Sequence, residues 1–153
     1  MAALPVGRSV TVAVPASTAN LGPGFDAVGL GLGIQDRYAV EVVPQDAHLE
    51  VVLEGEGAGF LPADATHLVV RHLRSALEIS GIGWLEGYGL RVTCANTIPM
   101  SAGLGSSAAA VVGGGAAAPE EVHGTIVAPA RRAARFWAAA RSGIVKRPEC
   151  VPS

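Results

Sequence analysis

The sequence predicts a mixed fold of strands and helices. Three observations carry that expectation. Four short stretches read as strands, two of them by alternating residues. One longer stretch, residues 65–80, repeats its apolar residues at helical spacing. A glycine- and serine-rich loop then leads into a second run of small apolar residues that reads as a helix. The 153 residues match about one domain. Half of them are hydrophobic and 16% are charged, enough apolar material for a core and a composition unlike that of a globally disordered chain.

The elements follow in order. Residues 9–14 alternate valines with small residues and read as a first strand. Residues 15–25, rich in glycine and proline, read as a loop. "RYAVEVV" (37–43) and "LEVVL" (49–53) are two further strands, with 44–48 as the turn between them. In the helix 65–80, Val69, Leu73, Ala76 and Leu77 share one face, and Arg71, Arg74, Ser75 and Glu78 take the other. Asp64 or Thr66 can cap its start and Gly81 can end it. "YGLRVTCA" (88–95) alternates again as a strand. A small-residue helix over 104–112 follows, and Gly113–Gly115 weaken its far end by about 1 kcal/mol per glycine relative to alanine.

Composition excludes several function classes. A net charge of −2 offers no bulk attraction to nucleic acid or to an anionic membrane. Cys94 and Cys150 lie far apart without metal-ligand spacing, so neither a disulfide framework nor a zinc site is expected, and a reducing cytoplasm fits them. The run "SVTVAVPASTA" is too short and too alternating for a signal peptide. The stretch 102–118 is broken by glycines and too poor in large apolar residues to span a bilayer.

Two loops hold the candidate chemistry. "GLGSS" (103–107) stands directly before an apolar helix. Glycine lets backbone N–H groups approach an anion, a helix start adds a favourable dipole, and Ser106 and Ser107 add hydroxyls suited to phosphate or magnesium. A P-loop is excluded because it ends in Gly-Lys-Ser/Thr, and the chain's lone lysine is Lys146. A dinucleotide fingerprint, Gly103-x-Gly105-x-x-Ala108, and a plain Gly/Ser linker stay open as readings of this loop. The second loop, "PASTANLGPGFD", packs Asn20, Gly22, Gly24 and Asp26 between apolar runs. Its plain reading is a Gly/Pro turn with Asn and Asp bonding backbone. Two such loops could also converge, one on a small polar substrate and one on phosphate.

Together the two stretches resemble the GHMP small-molecule kinases, in the form found among the homoserine kinases. "PASTANLGPGFDAVGLGL" (15–32) is similar to that family's N-terminal motif, and "PMSAGLGSSAA" (99–109) to its ATP-binding motif. "DATHLVVRHLRSALE" (64–78) resembles the helix the family sets beside the nucleotide. The resemblance covers about residues 8–115. It implies an α+β fold, the two-layer, ribosomal-protein-like N-terminal domain of the family, here without its C-terminal domain. It implies phosphorylation of the side-chain hydroxyl of L-homoserine by ATP with Mg2+, a step toward threonine, in the cytoplasm. Homoserine and ATP are then the partners, a homodimer is an admitted assembly, and neither nucleic acid nor membrane is a partner.

By that resemblance, Pro99, Met100, Ser101, Ala102, Gly103, Leu104, Gly105, Ser106, Ser107, Ala108 and Ala109 bind the nucleotide, with the backbone of 103–107 wrapping the triphosphate. Ser107 also lies near magnesium. Asn20, in the catalytic position, bonds the substrate near its reacting hydroxyl. Asp26 accepts from its ammonium group, and a zwitterionic substrate does require one anion in its site. His67 stands where many members carry an asparagine facing the nucleotide; a solvated first-turn histidine is the plainer reading.

The resemblance stops near Gly115. Residues 1–118, a partial N-terminal domain, hold five basic and ten acidic residues, whereas 119–153 hold six basic and three acidic. That Ala/Arg/Pro-rich tail, with one helical stretch over 130–141, has three readings: a basic amphipathic helix for an anionic partner, a disordered end, or a frame-shifted end of a longer gene. The suddenness of the compositional break favours the last. The family's acidic magnesium ligand, its Gly-His-x-Asp-Asn stretch and its carboxylate-binding arginines are not recognisable, so a truncated, inactive chain is one expectation. A non-catalytic nucleotide-binding fragment and a dinucleotide-binding oxidoreductase domain are the alternatives.

Overall fold

The computed structural model describes residues 4–19, 21–23 and 29–118, together with the backbone of 124–127. Within them, one sheet has the strand order β3-β4-β2-β1-β5. Its strands are β1 (Ser9–Ala19), β2 (Gly29–Val43), β3 (Leu49–Gly55), β4 (Gly89–Asn96) and β5 (Gly124–Val127). β2 runs antiparallel to β1 and to β4, while the outer pairs β3–β4 and β1–β5 are parallel. Two helices, α1 (Leu68–Ile79) and α2 (Ser106–Ala116), pack on each other and against the sheet. The α+β class and the two-layer arrangement are those expected.

Period-two alternation builds the core. Val10, Val40, Val92 and Val51 stand in register across β1, β2, β4 and β3, and Val12, Tyr38, Cys94 and Leu53 form the next row. Against these rows α1 sets Val69, Val70, Leu73 and Leu77, all buried. Burying each such aliphatic side chain contributes about 1.5–3 kcal/mol. The opposite face of the sheet is charged where β2, β4 and β3 meet. Arg91 bonds Glu50 at 2.7 Å and Glu41 at 3.2 Å, its partners in register on either side. All three side chains are largely exposed, so the pairs contribute less than about 1 kcal/mol each.

Two strand boundaries differ from expectation. β1 does not stop at Val14 but runs through Pro15 to Ala19, and β2 begins at Gly29 rather than Arg37. Ser17, Thr18 and Ala19 pair with Gly31, Leu30 and Gly29, after a bulge between Pro15 and Ser17. The bulge accommodates a proline that cannot donate to a ladder. β5 flanks β1 only over Val10–Ala13, and further along the Ser17 N–H donates instead to the Leu104 carbonyl at 3.0 Å. Pairing across this ribbon overrides the weak strand propensity of its glycines.

The start of α1 differs as well. Its N-cap is His67, whose Nδ1 accepts the Val69 N–H at 3.3 Å. Asp64 and Thr66 do not cap it; Asp64 Oδ1 accepts from the Thr66 N–H and hydroxyl at 2.7 and 2.6 Å, closing a separate turn just ahead. Gly81 follows the helix with φ +75°, in the left-handed conformation expected of a terminating glycine. α2 runs on through Gly113–Gly115 to Ala116. A Cβ on Gly113 would run into the Tyr38 ring, and one on Gly114 into the Val69 backbone, so these glycines let α2 lie close to both β2 and α1. The tail stretch 130–141 lies outside the described residues.

Candidate functional site

The glycine loop joins β4 to α2 through three left-handed turns, at Ser101 (φ 59°), Gly103 (φ 71°) and Gly105 (φ 75°). Only glycine fits the last of them. A Cβ there would stand 2.8 Å from Ser17 Oγ and 2.9 Å from the Ser17 carbonyl, because β1 presses directly on the loop. Gly105 is also the N-cap of α2, and no side chain caps that helix. The first intrahelical bond runs from the Ala109 N–H to the Gly105 carbonyl at 2.8 Å. The amides of the first turn, which have no partner within a helix, therefore face no competing side-chain acceptor. No acidic residue lies in that turn.

One buried carboxylate holds the approach to the loop. Asp36, 2% exposed, sits on the core face of β2. Its Oδ1 accepts the N–H groups of Thr97 at 2.7 Å and Ile98 at 2.8 Å, and its Oδ2 accepts the Tyr38 hydroxyl at 3.0 Å. The Thr97 hydroxyl adds a bond to the Gln35 carbonyl at 2.7 Å. The chain is thus pinned to β2 two residues after β4 ends. Burial first, and the Asp36 charge and hydrogen bond next, push the Tyr38 phenol far above its ordinary value, so it stays a donor. Burial pushes the nearby Cys94 thiol up to about 12, which removes it as a nucleophile at neutral pH.

A cavity of about 270 Å³ opens between the starts of the two helices. Its lining includes Thr66, His67, Leu68 and Arg71 from the α1 end, Met100, Ser106, Ser107 and Ala110 from the α2 end, and Asp36, Tyr38, Asn96 and Ile98 from the sheet; Leu61 and Pro62 complete it. His67 is 5% exposed. Burial pushes its imidazole below the ordinary value, against an opposing pull from the Asp64 charge. Its Nδ1 is occupied as an acceptor, so the neutral ring carries its proton on Nε2. Among the described residues, no group of three or more His, Cys, Asp or Glu side chains is clustered as a metal site.

The structure brings part of the expected nucleotide set together. Met100, Ser106 and Ser107 line the cavity, and Pro99, Ser101, Ala102, Gly103, Leu104 and Gly105 form the turn beside it. Ala109 points into the core instead, 2% exposed, while Ala108 stays in the first turn of α2. Asn20 and Asp26 lie outside the described residues. Sequence reasoning missed Asp36 and Arg71 as members of the cavity. Asp36 had a legible signal, an acid in phase with the apolar face of the strand that carries Tyr38, Val40 and Val42. Arg71 had none, since it reads as one more charge on the polar side of α1.

Comparison with known proteins follows the same lines. The profile of the GHMP kinases N terminal domain matches residues 66–144, past the point where the sequence motifs end. The homoserine kinase of Corynebacterium jeikeium is 55% identical over 105 residues, which are 69% of this chain and 32% of that protein. The homoserine kinase of Rhodococcus erythropolis is 54% identical over 105 residues, again 69% of this chain and 32% of the relative. The chain therefore spans about a third of the length of these curated relatives. Among solved structures, the homoserine kinase of Cytophaga hutchinsonii superposes with a TM-score of 0.61 at 28% identity, over 76% of this chain and 36% of that one.

Proposed function

This chain belongs to the GHMP kinase family, and from that premise we propose that its cavity binds ATP for transfer of the γ-phosphoryl group to the side-chain hydroxyl of L-homoserine. The observation that carries the reading is the uncapped, left-handed entry to α2 at Gly105, opening on the same cavity as His67 and Arg71. Backbone N–H groups of the 103–107 turn and of the first turn of α2 receive the triphosphate, and the Ser106 and Ser107 hydroxyls add further bonds. The relatives named homoserine kinases support the choice of acceptor.

The residues present fit a nucleotide. The lining includes apolar Leu61, Pro62 and Ile98, against which a base can lie, and polar Ser106, Ser107 and Arg71, which can meet phosphate. Ser107 is the residue of this turn that would hold Mg2+, which when bound neutralises charge on the transferring phosphoryl group. Asp36 keeps residues 97–98 in place, so that the loop is preorganised before ligand arrives. Asn20 orients the acceptor hydroxyl and Asp26 takes the substrate ammonium. Phosphoryl transfer depends mainly on such positioning and on charge neutralisation, and a strong general base is not required. Residues 1–118 then act as part of an N-terminal kinase domain, whose sheet β5 (Gly124–Val127) joins at its edge.

The test is ADP release by the purified chain with Mg-ATP, with and without L-homoserine. Release that depends on homoserine supports the reading. ATP binding without homoserine-dependent release leaves a nucleotide-binding fragment. Thermal stabilisation by NAD and not by ATP contradicts the kinase reading and favours a dinucleotide site.

A further inference from the structure

We propose that Arg71 is the cationic contact for the polyphosphate of the bound nucleotide, the charge that this glycine loop lacks for want of a lysine. The inference rests on the nucleotide reading above. Arg71 shares the cavity with Ser106 and Ser107, the residues that open α2. It is the one lysine or arginine in the described lining. The second basic residue there, His67, uses Nδ1 as a hydrogen-bond acceptor and is held neutral by burial.

Neighbouring arginines are already engaged. Arg74, on the same helix, bonds Glu78 at 2.8 Å, and Arg91 is tied to Glu50 and Glu41 on the far face of the sheet. The lining holds one carboxylate, that of Asp36, whose two oxygens take three donors from Thr97, Ile98 and Tyr38. It does not have to be neutralised by Arg71. The backbone of Arg71 is fixed by its N–H to the His67 carbonyl at 3.0 Å and by the Ser75 hydroxyl donating to its own carbonyl at 3.1 Å. Arg71 is exposed and lines the cavity, so its side chain extends from a fixed backbone position beside the site. A planar fork of N–H donors matches phosphate oxygens in pairs, which a lysine ammonium does not.

The test titrates the 153-residue chain, Arg71→Gln and Arg71→Lys with ATP and with adenosine, at low and high salt. Arg71→Gln is expected to weaken ATP about ten-fold, the value of one charge-assisted contact, and to leave adenosine unchanged. ATP binding to Arg71→Gln should also lose salt sensitivity, because one screened charge pair is gone. Arg71→Lys should keep part of the affinity. If ATP binds Arg71→Gln within about two-fold of the unmodified chain, the inference falls and the nucleotide reading stands. If adenosine weakens as much as ATP, Arg71 acts through the fold or the base and the inference also falls. If the unmodified chain binds no ATP, both fall together.

Discussion

The two helices start at the same cavity and are closed in opposite ways. α1 brings its own acceptor, since His67 folds back to take the Val69 N–H. α2 brings none: a left-handed glycine precedes it, no side chain caps it, and its first turn carries no acid. Helix starts are ordinarily satisfied by a side chain such as that on α1. Leaving the other open, behind a loop tied to β1 and β2, makes α2 the end that can receive an anion. The difference teaches that the stabilising cap and the functional opening are separate devices, placed side by side.

The largest expected effect tests the tie that holds the open end in place. Asp36→Ala strips partners from two backbone N–H groups and the Tyr38 hydroxyl, and should cost about 4 kcal/mol in a denaturant melt. A loss under about 1 kcal/mol would mean that the loop does not depend on it. Next comes a pair of glycines that differ only in their surroundings. Gly105→Ala meets both a positive φ and the Ser17 backbone, and should cost about 3 kcal/mol, whereas Gly103→Ala, with φ 71° but open space around its Cβ, should cost about 1 kcal/mol. Equal losses would break the claim that β1 shapes the entry to α2.

His67 sharpens the contrast from the other side. His67→Ala should cost about 1 kcal/mol through loss of the cap. It should also flatten the acid limb of the stability curve. Burial holds both His67 and His72 below the ordinary value of 6.5, and the Arg71 charge adds to the effect on His72. As pH falls below that value, the unfolded chain takes up protons that the folded chain does not. Stability is therefore present above pH 6.5 and lost below it, and a series of melts from pH 7.5 to about 5 should show the slope reduced in His67→Ala. The smallest effect belongs to the solvent side of α1, where Arg74→Ala removes one exposed ion pair and should change stability by about 0.3 kcal/mol.

Much of this contrast was legible in the residues, for physical reasons that differ by element. α1 was plain because Val69, Leu73, Ala76 and Leu77 recur every three or four residues. α2 was found from Gly103, Gly105 and the small residues after them rather than from any apolar stripe. The first half of β2 was hidden because Gly29, Gly31 and Gly33 have little strand propensity, and long-range pairing with Ser17–Ala19 decides their conformation. The cap at His67 was hidden because Asp64 and Thr66 are the better capping residues by type, and they spend their bonds on each other. Arg71 was hidden because α1 turns one of its solvated positions toward a cavity that exists only once α2 has packed.

The most direct test of the nucleotide account is an ATP titration followed by backbone amide resonances. Binding at the open start of α2 predicts large, saturating shifts at Gly103, Ser106 and Ser107, smaller ones at His67 and Arg71, and none at Glu41, Glu50 or Arg91 on the opposite face. Saturating shifts on that opposite face with Ser106 and Ser107 unmoved would contradict it.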